Sequence, residues 1–323
     1  MARVKCELCP TECVLQDYQI GGCRVRMNKG GVLWSLVWGR PCSVNIDPIE
    51  KKPLYHVLPG TGTLSIATVG CVLTCKFCQN WQISQGRPEE ARAYHLPPLE
   101  VAKAALYYRT PSITYTYTEP TVFYEYMLEC AQAARAVGLR NFMHTCGYIN
   151  LQPLRQLSQW LDAANVDLKA MSEDFYQRIC GGTLRPVLQC ILELRRLGVW
   201  VEITNLVIPT LNDSDRLLKA LARWIRAELG PEVPLHLSRF FPYYKLRNLP
   251  PTPEQTLWRA REIALSEGLK YVYLGNLRSR AEHTYCGRCG RLLIERLGYR
   301  VRRNLLRESR CPFCGQQVPG LWA

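Results

Sequence analysis

What this chain lacks narrows it first. None of its 323 residues belongs to an apolar run near the roughly 20 residues that a membrane span requires. The opening residues, MARVKCELCP, hold no apolar segment of the kind that marks a secretory leader. Acidic side chains are scarce beside basic ones, 27 against 41, for a formal net charge of +14, and histidine occurs only five times. Neither a membrane-spanning helix nor a secreted disulfide scaffold is expected. Cysteine, by contrast, is abundant, with 16. Clustered cysteines in a chain without a leader bind metal or do redox chemistry rather than cross-link, so a reducing cytoplasm is the expected setting. With 47% apolar and 21% charged residues the chain can form a packed core, as one large domain with appendages or as two ordinary domains.

The cysteines fall into three groups. Cys6, Cys9, Cys13 and Cys23 form the first, Cys71, Cys75 and Cys78 the second, and Cys286, Cys289, Cys311 and Cys314 the third. The five others, Cys42, Cys130, Cys146, Cys180 and Cys190, are spread out and read as small buried hydrophobes. The second group is the odd one. A structural zinc ion takes four protein ligands, and GCVLTCKFCQNW (70–81) offers three.

The middle of the chain alternates between two kinds of segment. Apolar runs at 64–70, 112–118, 141–145, 165–169, 199–208, 235–240 and 270–274 read as strands. Helical patterns lie between them, and Gly138, Gly198 and Gly268 stand where a helix hands over to a strand. Such alternation predicts an α/β fold on a parallel sheet, and six or seven units are too few for a complete eight-fold barrel. A partial barrel of (β/α)6 type is expected. Chemistry in such folds sits at the C-terminal ends of the strands, where Cys71–Cys78, Thr118, Glu119, Thr145, Asp167 and Lys169 all fall.

Three thiolates at one barrel mouth make sense as an incomplete cage. A [4Fe–4S] cluster has four irons and takes cysteine ligands, so three cysteines leave one iron free. The spacing C-x3-C-x2-C, with Phe77 before the last cysteine, resembles that of the radical S-adenosylmethionine (SAM) enzymes. YTYTEPT (115–121), DLK (167–169), FFPYYK (240–245), CELCPTEC and the closing CPFCG…VPGLW extend the likeness over nearly the whole chain. They resemble the radical SAM enzymes of the AmmeMemoRadiSam system, which are related to the activating enzymes of pyruvate formate-lyase and other glycyl radical enzymes.

That resemblance implies SAM bound to the free iron through its amino and carboxylate groups. It also implies reductive cleavage to a 5′-deoxyadenosyl radical, and hydrogen abstraction from a substrate. Glu119 then stands where relatives hold the SAM amino group, with Tyr117 and Thr118 in place of their glycines. Asp167 and Lys169 match an Asp-x-Lys used around SAM and an adjacent cation site. Thr145 carries over, a cation ligand at His144 does not, and His236 falls where relatives place a histidine near the SAM ribose. An electron donor of flavodoxin or ferredoxin type is implied, with a glycyl radical enzyme or Memo-like and AMMECR-like proteins as partners. Charge favours two of these roles independently: a carboxylate at Glu119 suits an ammonium, and Lys169 suits a carboxylate.

The flanks read as separate modules, giving boundaries at 1–60, 61–280 and 281–323. Residues 40–63, rich in proline and glycine, read as a linker with Lys51, Lys52 and His56 on a solvated face. YCGRCG (285–290) and RCPFCG (310–315) are C-x2-C knuckles around a hairpin at Gly298, a pattern resembling a zinc ribbon, with a rubredoxin-like iron site as the alternative. The N-terminal C-x2-C-x3-C-x9-C does not choose between zinc and a second iron–sulfur cluster. Residues 276–310 carry ten arginines against Glu282, Glu295 and Glu308, a net +7. That basic ribbon invites a nucleic-acid reading, but the aromatics are not interleaved for stacking, and an acidic protein partner or a thermophile's surface would look alike.

The leading expectation is hydrogen abstraction from a protein, as in the glycyl radical activases. The alternatives are radical modification of a small molecule or another polypeptide, and, from a different class, a non-enzymatic nucleic-acid-binding ribbon protein.

Overall fold

The apolar segments of the middle of the chain become seven parallel strands. In the computed structural model, which describes residues 3–323, these are β6 (Gly62–Ala67), β7 (Ser112–Tyr115), β8 (Arg140–Thr145), β9 (Ala163–Asp167), β10 (Trp200–Val207), β11 (Leu235–Arg239) and β12 (Val272–Gly275). They pair in sequence order, and an eighth strand, β5 (Ser43–Pro48), adds antiparallel to β6, from Ser43↔Ala67 to Pro48↔Gly62. The four residues of β7 are all buried, as expected where both faces of a parallel sheet are covered.

Helices α2 (Pro98–Tyr107), α3 (Tyr124–Ala136), α4 (Leu151–Ser158), α6 (Leu184–Arg196), α7 (Asp215–Glu228) and α8 (Glu254–Ser266) supply the crossovers. Two short ones, α1 (Trp81–Ser84) and α5 (Glu173–Phe175), lie in loops. Gly138, Gly198 and Gly268 all have positive φ at helix ends, as their sequence positions suggest. Among the described residues no helix is long and apolar enough to cross a membrane.

The expected linker is not a linker. Residues 43–48 belong to the sheet, and those that follow enter the barrel. Ile49, Leu54 and Val57 are fully buried against Phe142 and Ala163. Glu202 of β10 accepts hydrogen bonds from the amides of Tyr55 (3.0 Å) and His56 (2.8 Å), and Asn165 donates to the Pro53 carbonyl at 2.7 Å. The strand interior carries polar side chains that need partners, and this segment supplies them. Lys52 and His56 are therefore buried rather than solvated, while Lys51 stays exposed at its tip.

At the N-terminus β1 (Val4–Lys5) pairs with β2 (Val14–Leu15), and β3 (Arg26–Lys29) with β4 (Val32–Ser35). Cys6, Leu8, Val25 and Val37 join the main core, so this module shares its packing with the barrel. At the other end β13 (Thr284–Tyr285), β14 (Leu292–Leu297) and β15 (Arg300–Asn304) form a three-stranded antiparallel sheet, with the turn at Gly298 as the sequence suggests.

This ribbon bridges the two edges of the open sheet. Tyr273 of β12 is hydrogen-bonded to Thr284 at 3.0 Å. On the other side Arg296, with a fully buried side chain, donates to the Tyr55 carbonyl (2.7 Å) and lies 3.6 Å from Glu50. Residues 319–321 complete the seam: the Leu321 carbonyl accepts from the Leu58 amide at 2.8 Å, the Leu321 amide donates to the His56 carbonyl at 2.7 Å, and His56 Nδ1 bonds the Pro319 carbonyl at 2.7 Å.

Candidate active site

Gly70 leaves β6 with φ +100, and a Cβ there would stand 2.8 Å from the Cys23 carbonyl and from Val25 Cγ1. Only glycine lets the strand turn at this φ while the N-terminal module packs this closely. The cysteine loop that follows is clamped from the opposite side. Thr74 and Lys76 donate their amides to the carbonyls of Cys180 (2.8 Å) and Ile179 (2.9 Å), in the π turn Tyr176–Cys180. Gly181 and Gly182 follow, where a Cβ would meet Thr74 Oγ1 at 2.3 Å and Leu73 Cδ2 at 2.5 Å. The thiols are individually placed as well: Cys78 Sγ lies 3.2 Å from Ser84 Oγ, and the Leu73 amide points at Cys71 Sγ from 3.4 Å.

A cavity of about 1130 Å³ opens over this loop. Cys71, Cys75 and Cys78 line it together with Thr118, Glu119, Thr145, Asp167, Lys169 and His236, so the residues nominated for the cluster and for SAM share one chamber. The C-terminal ends of successive strands form part of its wall.

Glu119 is nearly fully buried and acts as a strut. Its Oε1 accepts from Thr121 N (3.1 Å), Thr121 Oγ1 (2.6 Å) and Thr145 Oγ1 (2.7 Å), and its Oε2 accepts from the Cys146 amide at 2.7 Å. Oε2 retains a lone pair for a further donor. Asp167 bonds Lys169 at 3.0 Å and His144 at 3.1 Å. Desolvation pushes the Asp167 carboxyl up, but Lys169 and His144 outweigh it and hold the group below the usual carboxylate range. Burial likewise pulls Lys169 down, and the charges of Asp167 and the surrounding thiols more than reverse it. His236 is fixed by a 2.6 Å bond to Glu202.

Burial pushes the Cys71 and Cys78 thiols up, so thiolates here need a cationic group to neutralise them. An iron–sulfur cluster supplies one, and the donor set fits it. The C-terminal cysteines differ. Their four Sγ atoms lie within 4.8 Å of one another, with Cys286–Cys314 at 3.6 Å and Cys289–Cys311 at 3.7 Å. A tetrahedron of Zn–S bonds near 2.3 Å has edges of about 3.8 Å. Among the described residues no other set of three or more possible ligands gathers so tightly. Cys6, Cys9, Cys13 and Cys23 lie close enough for Cys6 and Cys23 to act on Cys9 through their charge, and the Cys6 amide bonds the Cys13 carbonyl at 2.8 Å.

Some site residues escape a reading of the sequence. Cys180 is buried, but it shares a side-chain hydrogen bond with Cys75, and Cys146 lines the chamber; neither is merely a filler. The consecutive glycines after Cys180 were the available signal of a close backbone approach. Tyr117 adopts φ +63, a conformation that favours glycine, and its carbonyl is held by Asn80 Nδ2 at 2.7 Å. Its hydroxyl bonds Asp47 and its ring lies 4.2 Å from Lys52 Nζ. Burial lowers Lys52 to about 8 despite the 2.6 Å bond to Asp47.

The class of protein follows from this chamber and the sheet that carries it. A profile of the radical SAM superfamily matches residues 65–221, and this chain belongs to that superfamily of enzymes. Among its relatives, "Uncharacterized protein MJ0808" of Methanocaldococcus jannaschii is 46% identical over 98% of this chain and 95% of its own length. The pyruvate formate-lyase-activating enzyme of Streptococcus mutans is 24% identical over 58% of this chain and 78% of its own. In fold the chain is similar to Streptococcus suis SuiB bound to its precursor peptide SuiA. The TM-score is 0.53 and the identity 14%, over 71% of this chain and 51% of SuiB. The superfamily implies a [4Fe–4S] cluster and SAM.

Proposed function

We propose that this enzyme cleaves SAM reductively and uses the resulting radical to take a hydrogen atom from a substrate. The observation that carries this reading is the convergence of Cys71, Cys75 and Cys78 with Glu119, Asp167 and Lys169 on one chamber. When bound on the three thiolates, a [4Fe–4S] cluster supplies the electron and the open coordination position.

The chain's own residues bind and orient. Glu119 Oε2 accepts from the SAM ammonium while Oε1 ties the loop after β7 to the end of β8. Lys169 draws the SAM carboxylate, with Asp167 fixing the ammonium's direction. Thr118, whose hydroxyl donates to the Thr68 carbonyl at 2.8 Å, presents its backbone to SAM. Thr145 holds Glu119, and His236, locked by Glu202, faces the ribose. The ribbon cysteines hold zinc, with rubredoxin-like iron as the alternative outcome of metal analysis. Cys6, Cys9, Cys13 and Cys23 hold a second metal.

A glycyl radical enzyme is the first candidate substrate, because relatives such as that of Streptococcus mutans are named as pyruvate formate-lyase-activating enzymes. The second is a small molecule, or another polypeptide, in an AmmeMemoRadiSam system with Memo-like and AMMECR-like partners. The ribbon across the sheet's open side, bounding the chamber there, favours the small molecule. Sixteen free thiols suit a reducing cytoplasm, and a flavodoxin or ferredoxin is the fitting electron donor.

The test is anaerobic reconstitution with iron and sulfide, reduction, and mass spectrometry of the products. 5′-Deoxyadenosine and methionine are expected, with deuterium moving from labelled substrate into 5′-deoxyadenosine. Failure of the reconstituted, reduced protein to cleave SAM would overturn the reading.

A further inference from the structure

The chamber has a wall that the SAM chemistry does not use, and the ribbon provides it. In the β14–β15 hairpin Arg296 pairs with Val301, and Leu297 with Arg300. Arg296 and Val301 turn toward the barrel: Arg296 is buried on the Tyr55 carbonyl, and Val301 Cβ lies 3.3 Å from where a Cβ on Gly60 would stand. Strand residues alternate in direction, so Leu297 and Arg300, the next pair along, share the other face, and Arg302 stands at the bulge where the register shifts between Glu295 and Arg296. All three line the chamber.

The acids along this wall each hold a backbone amide. Glu50 accepts from the Gly60 amide at 3.0 Å beside Arg296, and Glu282 accepts from the Gly298 amide at 3.2 Å. Lys51 and Lys52 are both spent on Asp47, at 2.8 and 2.6 Å. Arg300 and Arg302 are exposed, and neither side chain makes a hydrogen bond or ion pair with any described residue. Arg278, on the loop after β12, lines the same wall. At about 1130 Å³ the chamber exceeds the roughly 300–1,000 Å³ typical of a small-molecule site.

We propose that Arg300 and Arg302, with Arg278 beside them, bind an anionic group of the substrate, a phosphate or a carboxylate. Arginine's planar fork suits either group, and its charge cannot be titrated away. This gives the ribbon's excess of arginine a use: the module that closes the barrel also selects what reacts inside it. The inference rests on the radical reading only in calling the bound anion a substrate group; anion binding itself is measured without SAM cleavage.

Pyrophosphate and citrate are titrated calorimetrically into the full-length, metal-loaded enzyme, so that the tighter of the two tells phosphate from carboxylate. Arg300→Gln/Arg302→Gln is expected to weaken the preferred anion by about tenfold or more, as loss of two charge-assisted contacts requires. Arg303→Gln, next in sequence but outside the chamber lining, is expected to leave it unchanged. Zinc content and circular dichroism verify the fold of each variant. Should the double variant lose its metal, Arg278→Gln in the exposed loop takes its place, with severalfold weakening expected. No binding of either anion by the wild type, or equal binding by the folded variants, overturns the proposal. Loss of SAM cleavage in wild type with anion binding intact would instead count against the radical reading alone.

Discussion

The Cys71–Cys78 loop and the C-terminal knuckles use the same side chain to opposite ends. The knuckles bring four sulfurs within 4.8 Å and leave no position free. The loop offers three, held apart by a backbone clamped on Cys180 and Ile179, and turns them to a large chamber. Ligand number and spacing thus set two expectations apart: a metal in a closed tetrahedron would contribute folding energy, whereas an open cage would contribute a coordination position.

The sharpest way to break this contrast is to remove each set in turn. Replacing Cys71, Cys75 and Cys78 together by Ala is expected to abolish SAM cleavage and the visible absorption of the cluster. The C-terminal metal should remain, as read by metal analysis of the folded variant. Cys311→Ala/Cys314→Ala should do the reverse, losing the ribbon metal while the iron stays. Its thermal midpoint should fall by roughly 6 °C, taking about 4 kcal/mol for a lost structural metal. Loss of iron from this second variant would make the ribbon part of the redox path and erase the distinction.

A finer test separates strut from ligand within the open site. Glu119→Gln keeps the oxygen that braces Thr145 but gives up the acceptor for the Cys146 amide and the charge facing SAM. SAM affinity, followed by calorimetry on cluster-loaded protein, should weaken by about one to two decades, the loss of about 1.5–3 kcal/mol in a charge-assisted bond. An unchanged dissociation constant would leave Glu119 as a strut alone.

The smallest effect concerns what holds the closed module in place. His56 is buried between the Pro319 carbonyl and Tyr273, and burial lowers its pKa to about 4. The unfolded chain takes up that proton near pH 6.5, before the folded one does, so stability falls as pH drops from about 6.5 toward 4. Between pH 7 and pH 5 the loss should be about 2 kcal/mol. His56→Gln should flatten that part of the denaturation profile, and an unaltered slope would move the acid sensitivity elsewhere.

Much of this was legible in the residues. The strands of the parallel sheet announce themselves as apolar runs because both faces are covered, and the three-cysteine spacing marks the loop after β6. Legibility ends where long-range contacts override local composition. Residues 40–63 carry linker residues, yet Glu202 and Asn165, more than a hundred positions away, supply the hydrogen bonds that draw them inside. Strand β7 stops at Tyr115, short of the expected 118, because Thr116–Thr118 turn through a positive φ at Tyr117. Nothing local foretells that either, since the conformation is held by Asp47 and Asn80. Cys146 and Cys180 look like other buried thiols until the fold puts them beside the loop.

The seam between the barrel and the tail carries a consequence for synthesis. The His56–Pro319 bond joins positions 263 residues apart, and contacts of such separation form late because the chain between them must be ordered first. A ribosome therefore finishes the strands that bear the thiolate loop well before it delivers the residues that seal the sheet's open side. During that interval the side later covered by the ribbon faces solvent, and β5, already paired to β6, shields that strand from stray partners. Until the ribbon, which follows the barrel in sequence, has folded, the chamber is expected to stay accessible on that side.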